Sequence, residues 1–164
     1  MREPEKKEID VLEAINENVY RSSHAALSFM VGGQVVAIYM NDENLRFVFV
    51  KEGKRYGATF GVSGDCCSCS WFHDFYNIDN LFNGSITDWK VKELEPDEEC
   101  MCDRCKNGEF VKYYGYQLFT QHPTYGEVTS VFSFRNSSNG YYGGSLELER
   151  DREISPELLT DLTA

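Results

Sequence analysis

The cysteines constrain this chain most, because all six of them lie in two short clusters. The first cluster reads GDCCSCSW over residues 64–71, and the second reads CMCDRC over residues 100–105. The N-terminal sequence MREPEKKE lacks the apolar segment of a secretory signal, so we expect a cytoplasmic protein in a reducing compartment. There, clustered cysteines indicate metal ligands or a redox site more often than structural disulfides. We therefore expect a fold that lets the two clusters meet.

Apolar patterning divides the chain into one domain and a short tail. The 164 residues suit a single domain, which we place at residues 1–150, followed by a polar tail at 151–164. Apolar residues at helical spacing over residues 5–20 predict an amphipathic N-terminal arm within residues 1–31. The remaining body, residues 32–150, is rich in aromatic and β-branched residues, and its apolar runs are too short to span a membrane.

Short β-prone segments separated by polar turns predict an antiparallel meander in this body. Strands are expected near residues 34–40, 45–50, 56–62, 86–94, 110–120, 127–135 and 145–149. Ser70 is a suitable N-cap for a short helix that places Phe72 and either Phe75 or Tyr76 on one face. Together these segments predict an α+β fold, with an antiparallel sheet, an N-terminal helix and a short aromatic helix.

The second cysteine cluster has the form CxCxxC, which can direct several thiolates at one centre. It contributes Cys100, Cys102 and Cys105. Structural zinc takes four ligands in a tetrahedron, so one more ligand is needed. The candidates in and beside the first cluster are Cys66, Cys67, Cys69 and His73. A site of four thiolates would be closed, and therefore structural instead of catalytic.

The charge of the chain bears on its partners. Its formal net charge is −11, and no basic stripe is visible, so direct nucleic-acid binding is disfavoured. An acidic surface suits solubility, but it also suits an interface with a basic protein, whose association would depend on salt. The acidic residues around the second cysteine cluster are the candidate contacts: Glu93, Glu95, Asp97, Glu98, Glu99 and Asp103.

A second candidate site is the segment RNSSNGYY over residues 135–142. Arg135 could pair with a phosphate, Asn136 could donate hydrogen bonds, and Tyr141 and Tyr142 could stack on a base. The alternative is a hairpin in which Asn-Gly turn chemistry and polar side chains satisfy the backbone. The sequence leaves both interpretations open.

Two longer motifs resemble those of an uncharacterised family of small phage and prophage proteins. They read GDCCSxSWF, here at residues 64–72, and FRNSSNGYYGGSL, here at 134–146, and the resemblance covers roughly residues 32–150. In that family an acidic residue usually replaces Cys69, and the loop at 100–105 is usually shorter and lacks the three cysteines. The chain departs from the family at both places together, which favours Cys69 as the fourth zinc ligand. Cys66 and Cys67 then belong to the motif that the family shares.

The resemblance implies an accessory phage protein that acts by binding. We expect a non-enzymatic inhibitor of a host defence system, similar to anti-CRISPR proteins, which binds a basic host protein such as an RNA-guided nuclease and carries structural zinc. The alternative is a small-ligand protein that sequesters a nucleotide signal. An enzyme is not expected, because Cys67, His73 and Asp74 are only neighbours in sequence and no oxyanion element accompanies them. The host target and the oligomeric state stay open.

Overall fold

The computed structural model describes residues 8–15, 22–64, 69–94, 110–138, 144–149 and 160–161. In these residues two β-sheets dominate, and α-helix is confined to α1, Val11–Ile15, and α2, Ser22–Met30. The predicted α+β class is therefore wrong, and the fold is mostly β. The excess of aromatic and β-branched residues that predicted the sheet extends through nearly the whole described chain, leaving little sequence for helix.

The first sheet, sheet A, is six-stranded and follows the order β1-β4-β3-β2-β10, with β9 also pairing with β4. Its strands are β1 (Ile9–Asp10), β2 (Gln34–Met40), β3 (Asn44–Lys51), β4 (Lys54–Gly64), β9 (Gly144–Glu149) and β10 (Thr160–Asp161). Strands β2 to β4 form the predicted meander through tight turns. Thr160 and Asp161, in the predicted polar tail, pair with Met40 and Tyr39 of β2.

The second sheet, sheet B, has four antiparallel strands in the order β5-β8-β7-β6. They are β5 (Cys69–Tyr76), β6 (Ile86–Glu93), β7 (Phe110–His122) and β8 (Gly126–Ser138). A 3-10 helix, Ile78–Asn83, connects β5 to β6. Strands β7 and β8 pair along their whole lengths, from Phe110 opposite Ser138 to His122 opposite Gly126. Strand β8 is thus a central strand with neighbours on both sides.

The predicted aromatic helix after Ser70 is wrong, because these residues form strand β5. Phe72 pairs with Phe134 and Phe75 pairs with Phe132, and the register shifts between these pairs. This β-bulge inserts one extra residue, so two phenylalanines three positions apart lie on the same face of the sheet. In the sequence that spacing is indistinguishable from the period of a helix.

One cluster of buried apolar side chains extends across both sheets and α2. Its centre is aromatic: the Phe132 ring of sheet B lies 5.8 Å from the Phe47 ring and 6.4 Å from the Phe60 ring of sheet A. Leu27 and Met30 of α2 belong to the same cluster. Such ring pairs add about 0.5–1.5 kcal/mol each beyond the area that they bury. The two sheets therefore share one core.

The N-terminal segment is less helical than its apolar spacing predicts. Residues 9–10 pair in parallel with β4, α1 has five residues, and residues 16–21 lie outside the described part. The longer helix α2 ends at Met30, just before Gly32, which has a φ of 89°. Lys51 donates a 2.8 Å hydrogen bond to the carbonyl oxygen of Phe29, a favourable place for a cation at a helix C-terminus. Neither described helix has the length and apolarity to cross a membrane.

Candidate ligand-binding cluster at the paired motifs

The two long motifs, far apart in sequence, lie side by side in the fold. Residues 62–64 at the end of β4 pair with residues 144–146 of β9 in sheet A. Residues 69–72 of β5 then pair with residues 134–137 of β8 in sheet B. The described ends of the two motifs are therefore neighbours in both sheets. The resemblance to the phage family rests on residues that the fold brings together.

Arg135 lies at the centre of this paired region. It stands directly opposite Trp71 of β5 on one side and Tyr113 of β7 on the other. Alternate residues of a strand point to opposite faces, and Phe132 and Phe134 face the shared core, so Arg135 lies on the outer face of sheet B. Its side chain is nevertheless only 1% exposed. A charged residue is rarely buried to this extent unless it is paired.

The Arg135 guanidinium has unsatisfied hydrogen-bonding capacity. Its Cζ atom lies 4.4 Å from the centre of the Tyr113 ring, which is a cation–π contact. Its Nε and Nη1 atoms are buried and have no hydrogen-bond partner. Desolvating an ion costs several kcal/mol, by order of magnitude, and an aromatic face offsets only part of that cost. The guanidinium is thus a buried cation with free donors.

A second group of polar side chains connects Arg135 to the surface. The Tyr76 hydroxyl donates to Oδ2 of Asp74 over 3.1 Å, and Nε2 of His73 lies 3.5 Å from the same oxygen. Burial raises the pKa of Tyr76, the negative charge of Asp74 raises it further, and Arg135 opposes the shift through its charge and a side-chain hydrogen bond. Tyr76 therefore stays protonated at neutral pH and links the guanidinium to the carboxylate.

The β-bulge of β5 positions Asp74. Its backbone N–H donates to the Ser133 hydroxyl over 3.1 Å, and that hydroxyl donates to the Asp74 carbonyl oxygen over 3.2 Å. Ser133 is buried on the same outer face as Arg135, two residues earlier in β8. The hydroxyl thus satisfies both backbone groups of the bulged residue, which the regular ladder would otherwise leave open.

The proposed four-residue ligand site is only partly brought together. Asn136 follows Arg135 in β8, so the two side chains point to opposite faces of sheet B. Asn136 is fully buried, its Nδ2 donates to the Ser70 hydroxyl over 2.8 Å, and its Oδ1 has no partner. Tyr141 and Tyr142 lie outside the described residues. A ligand at Arg135 would therefore contact residues on the outer face of sheet B. Asn136 would lie on the opposite, inner face.

The predicted zinc ligands fall mostly outside the described part. Cys100, Cys102 and Cys105 lie there, as do the alternatives Cys66 and Cys67. Cys69 begins strand β5 and pairs with Ser137 of β8, which pairs in turn with Val111 of β7. Among the described residues, no group of three or more histidine, cysteine or acidic side chains could hold a metal.

The predicted partner surface is visible at one point. Glu93 is the last residue of β6 and is exposed to solvent. The other five predicted contacts lie outside the described ranges: Glu95, Asp97, Glu98, Glu99 and Asp103.

Sequence reasoning missed most of the side chains around Arg135. The sequence predicts a helix for the segment that contains Trp71, Asp74 and Tyr76, and an ordinary strand for the segment that contains Tyr113. The available signal was the pairing of the two motifs, since residues that resemble one family in two separate stretches often meet in space. Reading both stretches as neighbouring strands would have placed Trp71 beside Arg135.

A further polar contact was also missed, between α2 and sheet B. Nε2 of His24 lies 3.2 Å from the Tyr116 hydroxyl, and the Trp89 indole N–H donates to the Ser28 hydroxyl over 3.0 Å. Burial raises the pKa of Tyr116. We interpret these two contacts as the attachment of α2 to sheet B, because the polar O–H and N–H groups of Tyr and Trp usually find hydrogen-bond partners when they are buried.

Fold and cluster together define a mostly-β protein with a buried cationic centre between paired motifs. The chain is similar to a protein of Acanthamoeba polyphaga mimivirus named "Uncharacterized protein L278", with 30% identity over 118 residues, which are 71% of this chain and 87% of the relative. The chain belongs to the same family as this mimivirus protein. No protein-family profile and no solved structure matches the chain. A virus encodes a relative, as the resemblance to phage proteins led us to expect in general terms.

Proposed function

We propose that this protein is a non-enzymatic binding protein that captures a small anionic, nucleotide-like ligand at Arg135. The observation that carries the proposal is the buried guanidinium with two unpartnered nitrogen atoms. Removing the partner of a buried charge typically costs about 3–5 kcal/mol, so a site of this kind favours an anion that restores the pairing. A phosphate or carboxylate would accept charge-assisted hydrogen bonds from the guanidinium.

The surroundings of Arg135 favour a ligand with a flat ring beside its anionic group. Trp71 and Tyr113 stand on either side of Arg135 in the sheet, and Tyr76 is on the same face. Aromatic side chains next to a cationic donor are the usual surroundings of a nucleotide, because the base stacks while the phosphate pairs. This supports the nucleotide class over a simple inorganic ion.

The experiment is a thermal-shift screen of the purified protein with inorganic phosphate, ribose 5-phosphate, and linear and cyclic nucleotides. A ligand that binds the folded state alone stabilises it by about 2.7 kcal/mol at 100 times its dissociation constant. We expect a clear rise in Tm with at least one nucleotide, and its loss in Arg135→Met. Lys92→Met, which removes an exposed cation from β6, is the matched control and should respond like the wild type.

An unchanged Tm of the wild type with every compound of the panel would contradict the proposal. So would an equal rise in Tm in Arg135→Met, because the guanidinium would then not be the group that binds.

A second candidate is an inhibitor of a host defence system that binds a basic host protein, such as an RNA-guided nuclease of the CRISPR type. The net charge of −11 and the virus-encoded relative support it. Complementary charge would steer association and make it salt-dependent. Pull-down of a host nuclease at low and moderate salt is the test, with charge reversal at Glu95, Asp97, Glu98 and Glu99 expected to weaken capture. Unchanged capture by that variant would remove these acids from the interface.

We also propose a structural zinc ion bound by Cys69, Cys100, Cys102 and Cys105. The register supports this set, because Cys69 lies two strands from Val111, a separation of about 10 Å. Val111 follows Cys105 by six residues, which can span roughly 20 Å when extended. The thiolates of the second cluster can thus reach the end of β5 where Cys69 lies.

Metal content of the purified protein tests the zinc site. We expect one zinc per chain in the wild type and in Cys66→Ser, which is the matched control, and loss of zinc in Cys102→Ser. Folded wild-type protein without zinc would contradict the proposal. Loss of zinc in both variants would identify Cys66, instead of Cys69, as the fourth ligand.

A further inference from the structure

The cluster on the outer face of sheet B contains an anion as well as a cation. Arg135 is 1% exposed, whereas Tyr76 is 41% exposed and the Asp74 side chain 47%. The Tyr76 hydroxyl bonds Oδ2 of Asp74 and interacts with Arg135. The exposed end of the cluster is therefore formed by Asp74 and Tyr76, and a ligand that approaches Arg135 from solvent meets the Asp74 carboxylate.

We propose that Asp74 is a specificity-determining residue, which selects nucleotides whose base presents N–H donors, as guanine does, over anions that lack such donors. This inference rests on the proposed function, because it names the ligand class of the same site. An ionised carboxylate is an acceptor with two oxygens and no donor. It can accept from the N1–H and the 2-amino group of guanine, and it repels a phosphate that offers no hydrogen in return.

The contacts of Asp74 leave room for this role. The Tyr76 hydroxyl and His73 Nε2 both approach Oδ2, at 3.1 and 3.5 Å. The Ser133 hydroxyl bonds only the backbone of Asp74, so it fixes the position of the residue without using the carboxylate. Burial and the charge of Asp74 raise the pKa of Tyr76, so its hydroxyl remains a hydrogen-bond donor at neutral pH. The carboxylate is thus held in place and half exposed.

The geometry also explains why simple anions are disfavoured. An anion bound to Arg135 would share the face of the sheet with the Asp74 carboxylate, and two like charges at short range oppose each other most strongly where water is excluded. A ligand with base N–H groups meets the same repulsion but offsets it with hydrogen bonds to a charged acceptor, which are worth about 1.5–3 kcal/mol each. The carboxylate therefore distinguishes the two kinds of anion by whether they offer N–H donors.

The test is isothermal titration of the wild type and Asp74→Asn with two probes, GMP and ribose 5-phosphate. We expect the wild type to prefer GMP by about tenfold or more, consistent with one hydrogen bond to a charged group. In Asp74→Asn the affinity for ribose 5-phosphate should rise and that for GMP should fall, so that the preference is lost. Glu52→Gln, which neutralises an exposed carboxylate in the β3–β4 turn, is the control and should keep the wild-type preference.

The outcomes separate this inference from the proposed function. Binding of both probes with no effect of Asp74→Asn would overturn the role of Asp74 and leave the anion site at Arg135 standing. Absence of binding of either probe to the wild type and to Asp74→Asn would overturn both. Circular dichroism of each variant confirms that the chain is folded before the titrations are compared.

Discussion

Over residues 132–135, the two faces of strand β8 are buried to the same degree and differ in chemistry. On the inner face, Phe132 and Phe134 are 0% and 1% exposed. On the outer face, Ser133 and Arg135 are 0% and 1% exposed. The inner face consists of stacked rings, with the Tyr116 ring 5.3 Å from Phe132 and the Tyr114 ring 4.7 Å from Phe134. The outer face carries a hydroxyl group and a guanidinium.

The stability of the fold explains the residues of the inner face but not those of the outer face. Burial of rings on the inner face lowers the free energy of the folded state through the hydrophobic effect and ring pairing. Burial of a cation with unpartnered donors raises it. An apolar side chain at position 135 would serve the fold at least as well, and this supports the binding role that we propose for Arg135.

The largest expected effect is on the inner face. Phe132→Ala removes the ring that contacts both sheets, and we expect it to lower the free energy of unfolding by about 3–5 kcal/mol. Urea denaturation followed by tyrosine and tryptophan fluorescence measures it. A loss below about 1 kcal/mol, the range of ordinary surface substitutions, would mean that the two sheets do not share one core.

Ser133→Ala should have an intermediate effect, on the outer face. It removes the hydroxyl that bonds the backbone N–H and carbonyl of Asp74, and unsatisfied buried groups cost about 1–3 kcal/mol. Ser85→Ala, which removes an exposed hydroxyl just before β6, is the control and should cost much less. Equal losses in the two variants would show that Ser133 does not hold the bulge.

Arg135→Met should change stability least among these substitutions at β8. It keeps a long apolar side chain and removes a buried charge, so we expect a free energy of unfolding equal to or greater than that of the wild type. The same denaturation experiment, without added ligand, measures it. A loss comparable to that of Phe132→Ala would contradict the comparison, because Arg135 would then be a structural residue.

The smallest effect is a pH dependence. Burial raises the pKa of Tyr116 above its ordinary value of 10.0, so the folded state holds this proton more tightly than the unfolded state. The stabilisation is fully present below pH 10 and is lost as the pH rises through the folded pKa. Tyr116→Phe, which cannot ionise, should show a shallower fall in the free energy of unfolding above pH 10. Identical slopes for the two proteins would contradict the assignment.

Much of the fold could be predicted from local sequence signals, and one element could not. The strands near residues 34–40 and 110–120 are confirmed, because alternation and polar turns are local properties. Strand β5 was predicted as a helix because a β-bulge gave Phe72 and Phe75 the spacing of a helical face. Such a bulge depends on the partner strand, which no local pattern reveals.

Of the residues at the candidate site, only the cationic Arg135 could be singled out from the sequence. Arg135 stands out in a polar, aromatic segment, but the positions of Asp74 and Tyr76 near it are set by the register between β5 and β8. Asn136 was grouped with Arg135 because the two are adjacent in sequence, although adjacency in a strand separates side chains onto opposite faces. The zinc ligands stay a prediction, since three of them lie outside the described residues.

The measurement that tests the central claim most directly is NMR of the arginine Nε–H groups in protein labelled with ¹⁵N-arginine. The Arg135 signal is assigned by its absence in Arg135→Met. We expect GMP to shift this signal in a saturable manner, while sodium chloride at equal ionic strength leaves it unchanged. A signal that does not respond to GMP, or that responds equally to the salt, would contradict the claim that Arg135 binds an anionic ligand.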